Sequence, residues 1–333
     1  MGRALAVTPR RWRTKVPFAI ARGSVDAVET VVVELHEEGR VGRGECRPYA
    51  RYGETVAGVI AELRALADAL GAGLDREGLR ESMPAGAARN AIDSALWDLE
   101  AKVSGRPAWA LAGLPEPTPV VTAYTLSLGS PEAMREAARS AASHPLLKVK
   151  LGAPGDPERL AAVREGAPGA RLIVDANEGW TGALLAGNLA ACARVGVELV
   201  EQPLPAGDDA RLEEIDVAGL ATGGVLVCAD ESAHDRASLG ALAGRYSAIN
   251  IKLDKTGGLT EARDLVDEAR ALDLKVMVGC MLASSLAMAP AFLLAPIADV
   301  VDLDGPLLLA EDWDPPIRFV GSLMHPPTRE LWG

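Results

Sequence analysis

From Val120 onward the chain repeats one unit, a short apolar strand followed by a segment of helix length. The strand candidates are Val120–Leu128, Leu146–Leu151, Leu172–Asp175, Val197–Glu201, Val225–Ala229, Ala248–Lys252, Leu274–Gly279 and Val300–Asp302. Amphipathic, Ala-rich segments such as Pro131–Ala142, Ala183–Arg194 and Thr260–Leu272 lie between them. Strands that alternate with helices in this way build a parallel sheet from βαβ units. Eight such units, spaced by roughly 25 residues, point to a closed barrel rather than an open sheet. After the eighth strand Gly305-Pro306 breaks the pattern and no comparable helix follows. The expected fold is therefore α/β, a TIM-like (β/α)7β barrel over residues 118–310. The tail from Leu307, and residues 311–333 in particular, is expected to return to the N-terminal part.

Residues 1–117 read differently, as an α+β capping domain. Thr30–Glu37 and Val41–Arg47 are strands joined at Gly39, Ala4–Trp12 is a third, and helices are expected at Glu54–Leu70 and Ala87–Val103. Pro17–Ser24 reads as a loop too apolar to sit comfortably in water. Gly42-Arg43-Gly44 is expected to be a turn between paired strands, not a nucleotide site.

Composition narrows the function. The 333 residues are 49% hydrophobic, enough for a large core, but only 4% aromatic, so small aliphatics must fill it. A net charge of −12 without a basic block excludes nucleic acid as partner. Cys46, Cys192, Cys228 and Cys280 form no C-x-x-C pair and read as reduced thiols. Met1–Lys15 is basic but lacks an apolar core, and no apolar run approaches the roughly 18 residues of a membrane span. A soluble cytoplasmic protein is expected. There is no P-loop, H-E-x-x-H or nucleophile elbow, and the four histidines show no ligand spacing.

Catalytic groups of such barrels sit where strands end. Asp175, Glu201 and Asp230 end three consecutive strands, and three converging carboxylates need a cation between them. An all-oxygen set suits Mg²⁺. Leu147-Lys148-Val149-Lys150-Leu151 has a strand's period of two, which places both lysines on one face. Burial and mutual repulsion are expected to lower the pKa of at least one, fitting Lys150 as a base with Lys148 tuning it. Lys252 ends the opposite strand. Two lysines facing each other across a cation suit removal of an α-proton on one side and its return on the other. Lys252 could also be the Schiff-base lysine of an aldolase-type barrel, but three acids around one cation fit that chemistry poorly.

These motifs together resemble the enolase superfamily in its muconate-lactonizing-enzyme subgroup. They are K-x-K at Lys148–Lys150, IVDANE at Ile173–Glu178, LVEQPLP at Leu199–Pro205, CADES at Cys228–Ser232 and INIKLDKTGG at Ile249–Gly258. The resemblance implies a capping domain on a (β/α)7β barrel, one Mg²⁺ per site, and a metal-stabilised enediolate. Within the subgroup, Asp302-Leu303-Asp304 resembles the D-x-D of dipeptide epimerases, where the acids hold the substrate's α-ammonium. Arg22, Cys280 and Met281 resemble positions of the L-Ala-D/L-Glu epimerases, with Arg22 implied to meet a distal carboxylate. Asn177, Glu231 and Asp254 are expected to support the ligands and bases. The expectation is a Mg²⁺-dependent dipeptide epimerase of peptidoglycan-peptide metabolism, with a small dipeptide as substrate and homo-oligomers possible. The alternatives are a lyase of the o-succinylbenzoate synthase or cycloisomerase type and an N-acylamino acid racemase. Their substrates lack an α-ammonium, which paired acids at strand eight disfavour. A non-catalytic scaffold would have no reason to hold two desolvated lysines.

Overall fold

A computed structural model describes residues 2–333. An antiparallel meander opens the chain: β1 (Ala4–Ile20), β2 (Gly23–Glu37) and β3 (Arg40–Cys46). The apolar stretch expected as a loop at Pro17–Ser24 is instead the end of the β1–β2 hairpin, with Phe18 opposite Val25 and Ile20 opposite Gly23. Pairing occupies the backbone of Phe18–Ile20, whose side chains are half-buried, while Pro17 stays exposed. The helix Ala87–Ser104 lies across the meander's inner face, with Ala91, Ile92 and Ala95 fully buried.

Gly42 and Gly44 are not a turn but sit inside β3, facing that helix. A Cβ on Gly44 would stand 2.1 Å from the Ala91 carbonyl, and one on Gly42 would stand 2.2 Å from that of Ala95. Only a glycine lets strand and helix backbones come this close. Gly44→Ala is therefore expected to lower stability by about 1–3 kcal/mol through overpacking. Urea unfolding would read this as a lower midpoint at unchanged slope.

The second unit is an eight-stranded parallel sheet: β5 (Tyr124–Leu126), β6 (Leu146–Lys150), β7 (Arg171–Asp175), β8 (Val197–Glu201), β9 (Leu226–Ala229), β10 (Ala248–Ile251), β11 (Lys275–Gly279) and β12 (Val300–Asp302), in sequence order. Between β12 and β5 the seam is closed by single bonds rather than a ladder. The Ala123 N–H donates to the Val301 carbonyl (2.9 Å), and the Leu303 N–H to Thr122 Oγ1 (2.7 Å). The expected strand Val120–Leu128 is split. Its first residues, β4 (Val120–Val121), join β13 (Phe319–Val320) and β14 (Leu323–Met324) in a separate three-stranded sheet, and only Tyr124–Leu126 enters the barrel. Intervening helices are uneven, from Gly182–Arg194 down to the single turn Leu239–Leu242. Only the short turn Gly305–Leu308 follows β12. The C-terminus reaches the capping helix: Trp332 Nε1 donates to the Ser94 carbonyl (3.0 Å) and the Gly333 N–H to Asp98 (2.7 Å).

The period of two positions everything that follows. Alternate residues pack outward on the helices, such as Leu147, Val149, Val174, Val200 and Ile249. The inward residues begin as an apolar plug of Ala123, Leu146, Ile173, Leu199, Cys228, Ala248, Met277 and Val300, one per strand. Two residues further along, the same inward face carries Lys148, Asp175, Glu201, Asp230, Asn250 and Asp302. A dry floor thus forces polar side chains to meet one another above it.

Candidate active site

Asp175, Glu201 and Asp230 are each buried and bring one carboxylate oxygen apiece within 4.8 Å of one another. Lysines answer their charge. Lys150 Nζ donates to Asp175 Oδ2 (2.6 Å) and Lys252 Nζ to Asp230 Oδ2 (2.6 Å). Their strands, β6 and β10, stand opposite each other in the eight-stranded ring. The two amines therefore flank the acid cluster from its two sides, and both line the cavity above it.

Lys148 sits deeper, among the acids themselves. Its Nζ lies 2.6 Å from Glu201, 2.7 Å from Asp302 and 3.3 Å from Asp175. Burial depresses its pKa, but the Asp302, Glu201 and Asp175 carboxylates outweigh burial and hold it well above the ordinary lysine value. The reason is positional: a residue one step deeper than Lys150 meets the acids themselves before it meets the other lysine. Lys252 is likewise raised, with Asp230 and Glu201 overcoming its burial.

The acids are unequally neutralised. Burial pushes Asp175 up, yet Lys150 and Lys148 hold it well below the usual carboxylate range. In Glu201, burial and the neighbouring Asp175 prevail and push it up to about 7. Glu201 Oε1 accepts from Asn250 Nδ2 (2.7 Å), whereas Oε2 is buried without a hydrogen bond, close to Lys148 but out of line with it. A buried carboxylate oxygen lacking a donor, in an all-oxygen set of three, fits a hard divalent cation such as Mg²⁺ held by Asp175, Glu201 and Asp230.

At the seam, Asp302 Oδ2 accepts from Lys148 while Oδ1 is buried and unpartnered. Asp304 Oδ2 accepts the Thr125 N–H (2.7 Å), and burial with the neighbouring Asp302 pushes it up to about 7. Both border the cavity, together with Cys280 and Met281. Arg22, at the β1–β2 hairpin turn, reaches the same mouth. Its Nη1 lies 2.7 Å from Glu231 and 3.2 Å from Glu178, and donates to the Asn177 carbonyl (3.0 Å). Burial lowers its pKa, but Glu231 more than restores it, to a net rise. Glu231 Oε2 and Asn177 Oδ1 are both buried without partners.

Asp254 departs from its expected place. It accepts from Asn90 Nδ2 (2.8 Å) and the Arg47 N–H (3.2 Å), so it ties the barrel to the capping domain rather than supporting a metal ligand. The turn Leu253–Thr256 after Lys252 rotates it away from the barrel axis. The same turn brings in Lys255, which the sequence reading passed over. Fully buried, its Nζ donates to Asp230 Oδ1 (2.6 Å) and to the Asn250 carbonyl (3.0 Å). Asn250 was also missed, although the alternation of Ala248, Asn250 and Lys252 put it on the inner face. Tyr49 and Tyr52, from the capping domain, complete the cavity wall. No local pattern marks them, because a separate unit brings them there.

Comparison with known proteins agrees with this geometry. Residues 132–330 match the family model "Enolase C-terminal domain-like". Residues 3–113 match "Mandelate racemase / muconate lactonizing enzyme, N-terminal domain". The L-Ala-D/L-Glu epimerase of Escherichia coli (strain K12) is 47% identical over 97% of this chain and 99% of its own. The N-acetyl-D-glutamate racemase of a Pseudoalteromonas species is 42% identical over 91% of this chain and 95% of its own. Among solved structures, an Agrobacterium tumefaciens enolase family member with homology to dipeptide epimerases, with bound sodium and L-Ala-L-Glu, superposes with a TM-score of 0.96. It is 49% identical, over 99% of this chain and 100% of that one. The dipeptide epimerase of Enterococcus faecalis V583, complexed with Mg and L-Leu-L-Tyr, superposes with a TM-score of 0.89 at 28% identity, over 98% of each chain. Two family models spanning both units, and relatives alike over nearly their whole length, show that the chain belongs to the mandelate racemase/muconate lactonizing branch of the enolase superfamily.

Proposed function

We propose that this protein is a Mg²⁺-dependent dipeptide epimerase, an isomerase that inverts the α-carbon of the C-terminal residue of an L-Ala-Glu-like dipeptide. The observation that carries the reading is the placement of Lys150 and Lys252 on opposite strands, each 2.6 Å from a different carboxylate of one buried triad. The cation, when bound by Asp175, Glu201 and Asp230, supplies positive charge against the anion that forms as the α-proton leaves.

The chain's own groups do the rest. One lysine takes the α-proton at Nζ on one face, and the other returns a proton at Nζ on the opposite face, so the centre inverts. Lys148, fixed among three carboxylates, holds the floor of the site and keeps Asp302 oriented. The unpartnered Asp302 Oδ1 is the acceptor for the dipeptide's ammonium. Asp304, already engaged by the Thr125 N–H, adds negative charge beside it. Arg22 faces the distal carboxylate of an acidic side chain. Four free cysteines, three of them buried, support a reducing compartment such as the cytoplasm.

In D₂O with Mg²⁺, L-Ala-L-Glu is expected to gain deuterium at the glutamyl α-carbon and to yield L-Ala-D-Glu, read by NMR and chiral chromatography. Absence of α-deuterium in every member of a small dipeptide library would sink the reading. A second reading, racemisation of N-acetylglutamate, draws on the 42% identical relative, since an amide N–H could also satisfy Asp302 Oδ1. N-acetyl-L-glutamate in the same assay separates the two. The epimerase reading requires the free ammonium to raise kcat/KM by at least about tenfold, the worth of one charge-assisted bond of about 1.5–3 kcal/mol.

A further inference from the structure

Two arginines from the capping domain meet one glutamate of the barrel. Glu178 follows β7 with a left-handed backbone (φ 68°), a conformation that non-glycine residues adopt only where surrounding contacts hold them. Its carboxylate is fully used. Oε2 accepts from Arg51 Nε (2.8 Å), and Oε1 accepts from Arg51 Nη2 (2.7 Å) and the Ala206 N–H (2.9 Å). The Arg22 contact to Oε2 is the longest of the set at 3.2 Å. Glu178 is thus Arg51's partner, and Arg22's closest ion-pair contact is with Glu231 (2.7 Å). On the other side of the Arg22 guanidinium, Nη2 donates only to the Tyr49 hydroxyl, at 3.2 Å, among the described residues. The Nε–Nη2 edge, the one that takes carboxylates two-pronged, is occupied by nothing stronger than that hydroxyl.

Without Arg51, the Glu178 carboxylate would lose two of its four bonds and turn to the nearest cation, which is Arg22. That would pull the guanidinium off the mouth. We propose that Arg51 is a specificity-determining positioning residue: its two-pronged pair with Glu178 saturates that carboxylate and so keeps the Arg22 edge free for an anionic side chain of the substrate. The proposal rests on the dipeptide reading for its substrate, and it adds a residue from a second segment of the capping domain. Arg51 itself does not line the cavity, so it acts through Arg22 and not by contact. The hairpin itself is held by the Leu128 N–H on the Ala19 carbonyl (3.1 Å) and by Arg22 on the Asn177 carbonyl, so loss of Arg51 leaves it docked and changes only where the Arg22 guanidinium points.

The test uses the full chain with Mg²⁺ and two substrates of one shape, L-Ala-L-Glu and L-Ala-L-Gln, together with amide hydrogen exchange of residues 19–25. Arg51→Gln is expected to cut the Glu-over-Gln ratio of kcat/KM by about three- to tenfold, the range for a half-exposed two-pronged pair. The loss should sit in KM, with kcat within about twofold, and the hairpin amides should exchange more slowly as Arg22 is drawn onto Glu178. Glu178→Gln, which leaves no carboxylate to draw Arg22 away, should keep the ratio within about twofold of the wild type, and adding it to Arg51→Gln should restore the lost ratio. An unchanged ratio in Arg51→Gln, or equal losses there on both dipeptides, overturns the proposal. The exchange measurement needs no substrate. If the wild-type protein turns over neither dipeptide, the epimerase reading has failed and the specificity role falls with it, while unchanged exchange in Arg51→Gln overturns the capture of Arg22 by Glu178 on its own.

Discussion

Lys252→Ala is expected to abolish epimerisation while leaving deuterium exchange into one epimer intact, and Lys150→Ala is expected to do the same for the other epimer. A substrate whose α-proton faces the surviving lysine can still lose that proton and regain a deuteron from the same side. It cannot receive one from the opposite side, so its configuration is kept. A positioned base contributes about 10²–10⁴-fold, so inversion should fall by at least that range. Both variants should fold. In Lys252→Ala, Asp230 keeps Lys255 at 2.6 Å. In Lys150→Ala, Asp175 keeps Lys148 at 3.3 Å and the Asn177 N–H at 2.9 Å. Circular dichroism and thermal melting check this, and NMR of each dipeptide epimer in D₂O reads the exchange. Loss of exchange into both epimers in either variant would argue against one base per face. Inversion at a normal rate would remove that lysine from the chemistry altogether.

Metal removal is the second large effect. Chelation should reduce turnover to background, and Mg²⁺ should restore it. The same ion should stabilise the fold by about 2.7 kcal/mol at a hundred times its dissociation constant, since it binds the native state alone. Glu201→Gln separates a ligand from a merely buried acid. The substitution places an amide beside the Asn250 Nδ2 donor and the Lys148 ammonium, and it removes the charge from the one member of the triad with an oxygen free of hydrogen bonds. Turnover should fall by more than about 10³-fold, in the range of losing an electrostatic stabiliser outright. The Mg²⁺-dependent rise in melting temperature should disappear at concentrations that stabilise the wild type. A preserved thermal shift would show that the cation is held elsewhere.

Much of this was legible because a barrel strand obeys a period of two. Once Leu146 is known to point inward, Lys148 and Lys150 must follow it, and the acids ending β7, β8 and β9 arrive at one level. The same rule marked Asn250, which was passed over only because a single amide carries less charge than its neighbours. Elements whose partners are distant were less legible. Val120–Leu128 looks like one strand, but its first residues pair with Leu323–Met324, some 200 residues away. Gly42 and Gly44 look like a turn until the helix Ala87–Ser104 is laid against them. Pro17–Ser24 looks like an uncomfortable loop until the hairpin pairs it.

The sequence by itself determined the barrel, the identity of the acid triad and the two lysines that face each other, because those follow from local alternation and strand order. Only the tertiary structure decided what each charge does. It set Lys148 among three carboxylates, which hold its own pKa high. It turned Asp254 toward the capping domain and brought Lys255 to Asp230 instead. It also joined Arg22 and Arg51, from separate capping segments, on Glu178. The physical reason is common to all four. A pKa and an ion pair depend on distances of a few ångströms between groups far apart in the chain, and those distances exist only once both units have folded against each other.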